Sequence, residues 1–182
     1  MRIIAGTAGG RPLKAPPEGV RPTMDRVKGA IFSSLGDLVP GADVLDLFAG
    51  SGGMGIEALS RGAASAVLVE SHEPCIRCIR ENLRRAGVEA SVQTMDVFRF
   101  IDLYSGEDAF DIIIADPPYS KKAGDPDHAA ALAASEKLAL ALRPGGLFVL
   151  EKQSGGKLPD GPFTLVKTRR YGGSEVHYLA RP

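Results

Sequence analysis

The run Val44-Leu45-Asp46-Leu47-Phe48-Ala49-Gly50-Ser51-Gly52-Gly53-Met54-Gly55 constrains this chain more than any other. An apolar strand carrying one carboxylate leads straight into four glycines within six positions. After them Ile56, Ala58 and Leu59 recur at helical spacing. The unit is therefore strand, glycine turn, helix, and the first N–H groups of the helix are free to meet a ligand. Glycine suits such a turn because a side chain would keep a ligand away from the backbone.

Gly50-x-Gly52-x-x-Gly55 satisfies a dinucleotide fingerprint, and Glu70 closes a second strand about 20 residues later, where an acid would hold a ribose. Asp46 argues for a different ligand. A carboxylate in a buried strand is costly unless it binds something. S-adenosylmethionine (SAM) gives it a partner, because the methionine end of that molecule carries an ammonium group. The competing reading is an aspartate that caps or braces the loop.

A chain of 182 residues that is 44% hydrophobic can fill one core and favours a single globular unit. It has no apolar run of membrane-spanning length and no apolar signal core at its N-terminus, so no membrane partner and a cytoplasmic location are expected. Cys75 and Cys78 form one CxxC with only His72 nearby, half of a zinc site. Free helical thiols are the better reading, and no metal is expected.

The net charge is zero, but it is unevenly divided. Residues 1–35 hold six Lys/Arg against two Asp/Glu, residues 152–182 again six against two, and residues 36–151 ten against eighteen. An acidic middle with basic flanks suits a polyanion held at the edges of the fold, and fits an ordinary solvated surface about as well.

Taken in order, residues 1–14 suggest a small β-hairpin around a glycine-rich link, followed by a proline-rich linker over residues 16–22. Thr23 can cap a helix with Val27, Ala30, Ile31, Leu35 and Leu38 on its apolar face. Strands and helices then alternate, as a parallel sheet requires. Strands are expected at 66–70, 90–94, 110–115 and 146–151, the last after the turn Arg143-Pro144-Gly145. Helices are expected at 73–86, stopped by Gly87, after Asp96 through Phe98, Ile101 and Leu103, and at 129–142. Phe163–Tyr171 and Val176–Leu179 flank Gly172-Gly173 as a closing antiparallel hairpin. Residues 1–40 form an extension packed on a core of residues 41–182, and the apolar pattern from Asp43 onward suggests that about the first 20 residues are separable.

Asp116-Pro117-Pro118-Tyr119 follows the apolar strand Phe110–Ala115, at a carboxyl end where an open α/β sheet binds its ligands. The tetrapeptide fits an exocyclic amine on a nucleobase. Such a nitrogen is a weak nucleophile because its lone pair is delocalised into the ring. Two acceptors on its hydrogens, the Asp116 carboxylate and the Pro117 carbonyl, would localise that pair. The prolines stiffen the backbone and add no competing N–H. Tyr119 offers a face on which a flipped base can stack. The plainer alternative is a proline-stiffened turn with a surface tyrosine.

The glycine loop with Asp46, together with Glu70 and Asp96, resembles a class I SAM-dependent methyltransferase, and Asp116–Tyr119 is similar to the (N/D)PP(Y/F) motif of amino-methylating nucleic-acid enzymes. Met1-Arg2-Ile3-Ile4-Ala5-Gly6, Gly10-Arg11, Arg21-Pro22-Thr23-x-Asp25-Arg26-Val27-Lys28 and Asp46–Gly52 narrow the match. Together they closely resemble the RsmD family, whose members methylate N2 of a guanine in 16S ribosomal RNA. The resemblance implies a Rossmann-like, doubly wound sheet, mostly parallel with an antiparallel C-terminal hairpin. It also implies SAM as cofactor. Asp46 and the backbone of Phe48, Ala49, Gly50, Ser51 and Gly52 would face the methionine part of SAM. Glu70 with Ser71 would meet the ribose, and Asp96 with Val97 the adenine. Asp116, Pro117, Pro118 and Tyr119 would hold the target guanine, with Asp116 also beside the cofactor. Arg2, Arg11, Lys14 and Arg21 would form an RNA-facing arm with Thr23, Arg26 and Lys28, and Lys121 would add to it from beyond the tetrapeptide. The implied partner is 16S rRNA in an assembled or assembling small subunit, met by a monomer.

Three other readings have sequence support. A DNA adenine-N6 methyltransferase would use the same tetrapeptide but ordinarily needs a target-recognition domain for which there is no room. An NAD-dependent oxidoreductase would use the glycine loop and leave Asp46 and Asp116–Tyr119 without roles. A non-catalytic RNA-binding assembly factor would explain the basic flanks but would not need the tetrapeptide.

Overall fold

The computed structural model describes residues 1–15, 25–104, 106–119 and 124–182. Seven strands form one sheet in the order β3-β2-β1-β4-β5-β7-β6. They are β1 (Asp43–Leu47), β2 (Ser65–Val69), β3 (Ser91–Gln93), β4 (Phe110–Ala115), β5 (Leu142–Gln153), β6 (Thr164–Tyr171) and β7 (Ser174–Ala180). The first five are parallel, and β7 pairs antiparallel with both β5 and β6. The chain builds outward from β1 through β2 to β3, then returns to lay β4 on the other side of β1. This reversal opens a crevice above the carboxyl ends of β1 and β4.

Helices cover both faces, which is why the central strands are apolar throughout rather than alternating. On one face α1 (Asp25–Leu35), α2 (Gly53–Ser60) and α3 (Glu73–Ala86) bury Val27, Ile31, Phe32, Ile56 and Ile79 against Val44, Ile112, Val149 and Tyr178. On the other, α4 (Val97–Leu103), α5 (His128–Ala133) and α6 (Glu136–Ala141) bury Phe100, Leu132 and Leu138 against Leu45, Ile113, Phe148 and Leu150. No helix among the described residues is long and apolar enough to cross a membrane.

The N-terminal segment is part of the first of these layers. Its expected hairpin reduces to one antiparallel bridge, Arg2 to Pro12, with Ile3, Ala8 and Leu13 buried in the core. Gly6 lies so close to α2 that a Cβ on it would sit 1.7 Å from the Ser60 carbonyl oxygen. Removing the segment would expose apolar surface on α1, α2 and α3. The linker at residues 16–22 and the cap at Thr23 lie outside the described residues.

Three expected boundaries differ. The helix carrying Leu35 ends there, and Leu38 falls in a 3-10 turn (Gly36–Leu38) with 44% of its surface exposed. The single helix over 129–142 is two, because the Ser135 hydroxyl accepts from Leu138 N–H at 3.2 Å and starts α6 afresh. Arg143-Pro144-Gly145 does not end a loop but sits inside β5 as an irregularity, between the Phe110–Leu142 and Ile112–Leu147 pairs. Arg143 holds it there by binding Asp111 at 2.5 Å and Asp43 at 3.0 Å.

Candidate active site

The strand register fixes what stands beside what at the carboxyl edge. Leu47 pairs with Val69 on one side and Ala115 on the other, and Ala115 pairs with Leu150. The residues that follow, Phe48, Glu70, Asp116 and Glu151, therefore line one rim.

The glycine loop leaves β1 through Phe48, which has φ 57°, a left-handed conformation that costs a side chain about 1–3 kcal/mol. Its ring packs on Phe98 and His128, with centroids 6.3 and 5.7 Å away, and that packing holds the strained turn. Gly50 N–H donates to Glu70 Oε2 at 2.8 Å, while Glu70 Oε1 accepts from Ser71 and His72 N–H at 2.9 and 2.8 Å. A carboxylate offers about four acceptor positions, so one remains for a ligand hydroxyl. Asp96 caps α4, accepting from Arg99 N–H at 3.0 Å, and Val97 is buried behind it.

Asp46 braces the loop. It is fully buried, and its Oδ2 accepts from Gly55 N–H at 2.9 Å, tying the strand to the first turn of α2. Burial, only partly opposed by that hydrogen bond, pushes its carboxyl up to about 7. The nearby Glu70 charge pushes the same way. Gly55 serves packing rather than ligand access, since a Cβ there would meet Leu68 Cδ1 at 2.9 Å. Of the loop glycines, Gly50 and Gly52 have positive φ, at 56° and 77°.

Asp116 continues from β4 at the centre of the rim, with Pro117 buried and Pro118 exposed beyond it. Tyr119 is half-buried and donates to Glu151 Oε1 at 3.3 Å. Burial, then the charges of Glu151 and Asp116, pushes its hydroxyl up to about 12, so it stays protonated and anchors the ring through Glu151. Pro117, Pro118 and Tyr119 line a cavity of about 160 Å³ with Asp127, Ala129 and residues 152–155. Lys152 closes that wall, its ammonium donating to the carbonyls of Gln153 at 2.9 Å and Gly155.

The cations expected to face RNA divide sharply. Lys28 is 1% exposed, bound to Arg2 O at 2.7 Å and to the buried Glu57 carboxylate at 3.4 Å. It is an internal strut and cannot meet RNA in this fold. Glu57 also accepts from Ile4 and Ala5 N–H, at 2.7 and 3.1 Å, and from Arg61 at 2.7 Å, so it locks the N-terminal segment onto α2. Arg11 donates to Ala86 O at 2.6 Å, capping the end of α3. Lys14 pairs with Glu81 at 2.9 Å, and Arg2 lies 3.9 Å from Asp25. Arg26 is exposed on α1. Arg21, Thr23 and Lys121 lie outside the described residues.

Reading the sequence alone misses Asn82, Glu151 and the ring pair Phe98 and His128. Asn82 is fully buried on α3, donating to Ser51 O at 2.9 Å and Lys14 O at 3.0 Å and accepting from Lys14 N–H at 2.7 Å. It joins the glycine loop to the N-terminal segment. The signal was present, since Asn82 is a polar residue in the apolar row Cys75, Ile79, Asn82, Ala86. Cys75 and Cys78 are buried free thiols on the same helix, and burial pushes Cys75 up to about 11.

This sheet order, with a glycine loop after the first strand and acids at the next two strand ends, defines a class I SAM-dependent methyltransferase fold. Residues 1–180 match the family model described as "Conserved hypothetical protein 95". The chain belongs to that family, the RsmD family. It is 36% identical over 174 residues to "Putative rRNA methyltransferase YlbH" of Bacillus subtilis, covering 93% of this chain and 92% of that one. To ribosomal RNA small subunit methyltransferase D of Escherichia coli K12 it is 39% identical over 124 residues, 66% of this chain and 61% of that protein. Among solved structures, a hypothetical protein of Thermus thermophilus superposes with a TM-score of 0.83 at 34% identity, covering 99% of each chain.

Proposed function

We propose that this protein transfers a methyl group from SAM to the exocyclic N2 amine of a guanine in 16S rRNA of the small ribosomal subunit, and that it works in the cytoplasm as a monomer. The observation that carries this reading is the adjacency of two unlike structures on one sheet edge. The glycine loop follows β1, and Asp116-Pro117-Pro118-Tyr119 follows β4, its hydrogen-bonded neighbour. The names of the family's relatives support rRNA as the substrate class.

The residues present fit SAM. Glu70 retains acceptor capacity for a ribose hydroxyl, Asp96 stands at the next strand end for the adenine, and the loop backbone faces the crevice. When bound, SAM supplies a methyl group on a sulfonium, already activated for displacement. The protein's share is to position the nucleophile in line with it and exclude water. Asp116 and the Pro117 carbonyl accept from the target amine and localise its lone pair. Tyr119, its hydroxyl fixed on Glu151, presents its ring to the base. Asp116 or water takes the proton the amine loses.

Mass mapping of 16S rRNA from a strain lacking the gene tests the reading. One guanine should lose 14 Da, and the purified protein with SAM should restore it. An unchanged map would refute the rRNA assignment, and a missing methyl on adenine would transfer the reading to adenine-N6 chemistry.

A further inference from the structure

We propose that the exposed edge strand β6 is a second RNA-binding surface, on which Lys167 and Arg169 hold phosphates of the RNA that flanks the target nucleotide. This rests on the function proposed above and extends it to residues outside the N-terminal segment.

Position is the first argument. Gln153, at the end of β5, pairs with Ser174, so the Gly172-Gly173 tip of the hairpin rises at the same edge as the Asp116–Tyr119 tetrapeptide. Ser154 N–H donates to Gly173 O at 2.9 Å, and Ser154 lines the cavity beside Tyr119. The Ser174 hydroxyl also lies beside the Tyr119 hydroxyl, where it counters the upward shift of that group. The tip is thus part of the active-site rim.

Charge is the second. Lys167, Arg169 and Tyr171 alternate along β6 and so share a face, with Lys167 and Arg169 about 7 Å apart. Most basic side chains of the described residues are tied to carboxylates or carbonyls, but these two have no carboxylate partner among them. Lys167 sits 4.5 Å from the centroid of the buried Tyr178 ring, which fixes where its ammonium stands. The opposite face of the hairpin is balanced: Arg170 pairs with Glu175 at 2.9 Å, and burial lowers the pKa of His177 towards the neutral imidazole.

The two basic flanks meet on this side of the sheet. Tyr178 and Val176 of β7 pack in the same layer as Val27 and Ile31 of α1, and Ser34 of α1 lies beside Tyr178. The exposed Arg26 of α1 therefore stands on the same side of the sheet as Lys167 and Arg169. Charges some 140 residues apart in sequence converge on one side of the rim, which suits a strand of RNA crossing from α1 to the hairpin with its flipped guanine at Tyr119. Edge strands also carry lysines to block strand-to-strand association, which is the competing explanation.

The test uses the full chain with Lys167→Gln/Arg169→Gln, the single Arg169→Gln, which touches no ring, and Arg170→Gln as the opposite-face control. SAM affinity by calorimetry should stay within about twofold in all of them. Affinity for a 16S rRNA fragment should fall at least tenfold in the double variant. The log–log salt slope should flatten by about two there, by about one in Arg169→Gln, and by less in the control. Wild-type RNA affinity and slope in a double variant that still methylates would overturn the proposal alone. So would self-association of that variant without any loss of RNA affinity, which is the edge-protection outcome. A wild-type protein that neither binds nor methylates rRNA would overturn the proposed function with it.

Discussion

The cofactor edge and the N-terminal segment are both held by carboxylates, yet they differ in what those carboxylates hold. Asp46 and Glu70 bind backbone N–H groups of the glycine loop and of the helix start that follows it. Glu57 binds two backbone N–H groups more than fifty residues away and two cations, Lys28 and Arg61. The first region is a locally built site; the second is a clasp between distant parts of the chain. A motif announces the first kind of structure, whereas the partners of the second are set only by packing.

The clasp gives the largest expected effect. Glu57→Ala leaves Lys28 buried without its carboxylate and should cost about 3–5 kcal/mol of stability. Thermal unfolding checks this, and deleting residues 1–15 should likewise lower the melting temperature. An unchanged melting temperature in both would mean that the segment is an appendage after all.

Next in size is a loss of chemistry without loss of binding. Asp116→Ala should lower turnover about 10²- to 10³-fold, the scale of removing one oriented polar group from a transition state, while SAM affinity moves only a few-fold. Calorimetry beside single-turnover kinetics separates the two effects. A joint collapse would place Asp116 in cofactor binding.

Asp46 gives a pH signature at the cofactor edge. Its folded pKa, about 7, lies above the unfolded value of about 4, so the folded state holds a proton that the unfolded state has lost between those values. Its contribution to stability is present below about pH 4 and is lost as pH rises to about 7. Relative to Asp46→Asn, the ligand-free wild type should therefore lose stability across that window and level off above it. A difference independent of pH would show that the carboxylate is not desolvated. Asp46→Ala, which removes the Gly55 brace, should weaken SAM about 10- to 150-fold.

The smallest effect concerns Tyr119. Tyr119→Phe and Glu151→Gln keep the ring and loosen only its anchor, so each should slow methylation a few-fold, against a severe loss in Tyr119→Ala. Equal losses in all three would give the hydroxyl a direct part in the chemistry.

Elements with local signals were legible in advance. Helix α3 runs over Glu73–Ala86 and stops at Gly87, which has φ 66°, as its apolar spacing and glycine stop require. Strand β4 occupies Phe110–Ala115, and the Gly172-Gly173 turn joins β6 to β7. Where sequence reasoning failed, a distant partner decided. Arg143 turns an apparent loop into strand by reaching Asp43 and Asp111. Lys28 looks like a cation of an RNA-facing arm, but it is buried against Glu57. Asn82 carries a loop-to-segment connection that no local motif marks.

The central claim is that the loop after β1 and the tetrapeptide after β4 form one guanine-N2 methyltransferase. Its most direct test is to incubate purified protein with methyl-labelled SAM and unmodified 16S rRNA, free and in small subunits, then digest the RNA and identify the labelled nucleoside by mass spectrometry. A single labelled product is expected, N2-methylguanosine, formed about 10²- to 10³-fold more slowly by Asp116→Ala. Label on a ring carbon or on adenine N6, or N2-methylguanosine formed equally by Asp116→Ala, would contradict it.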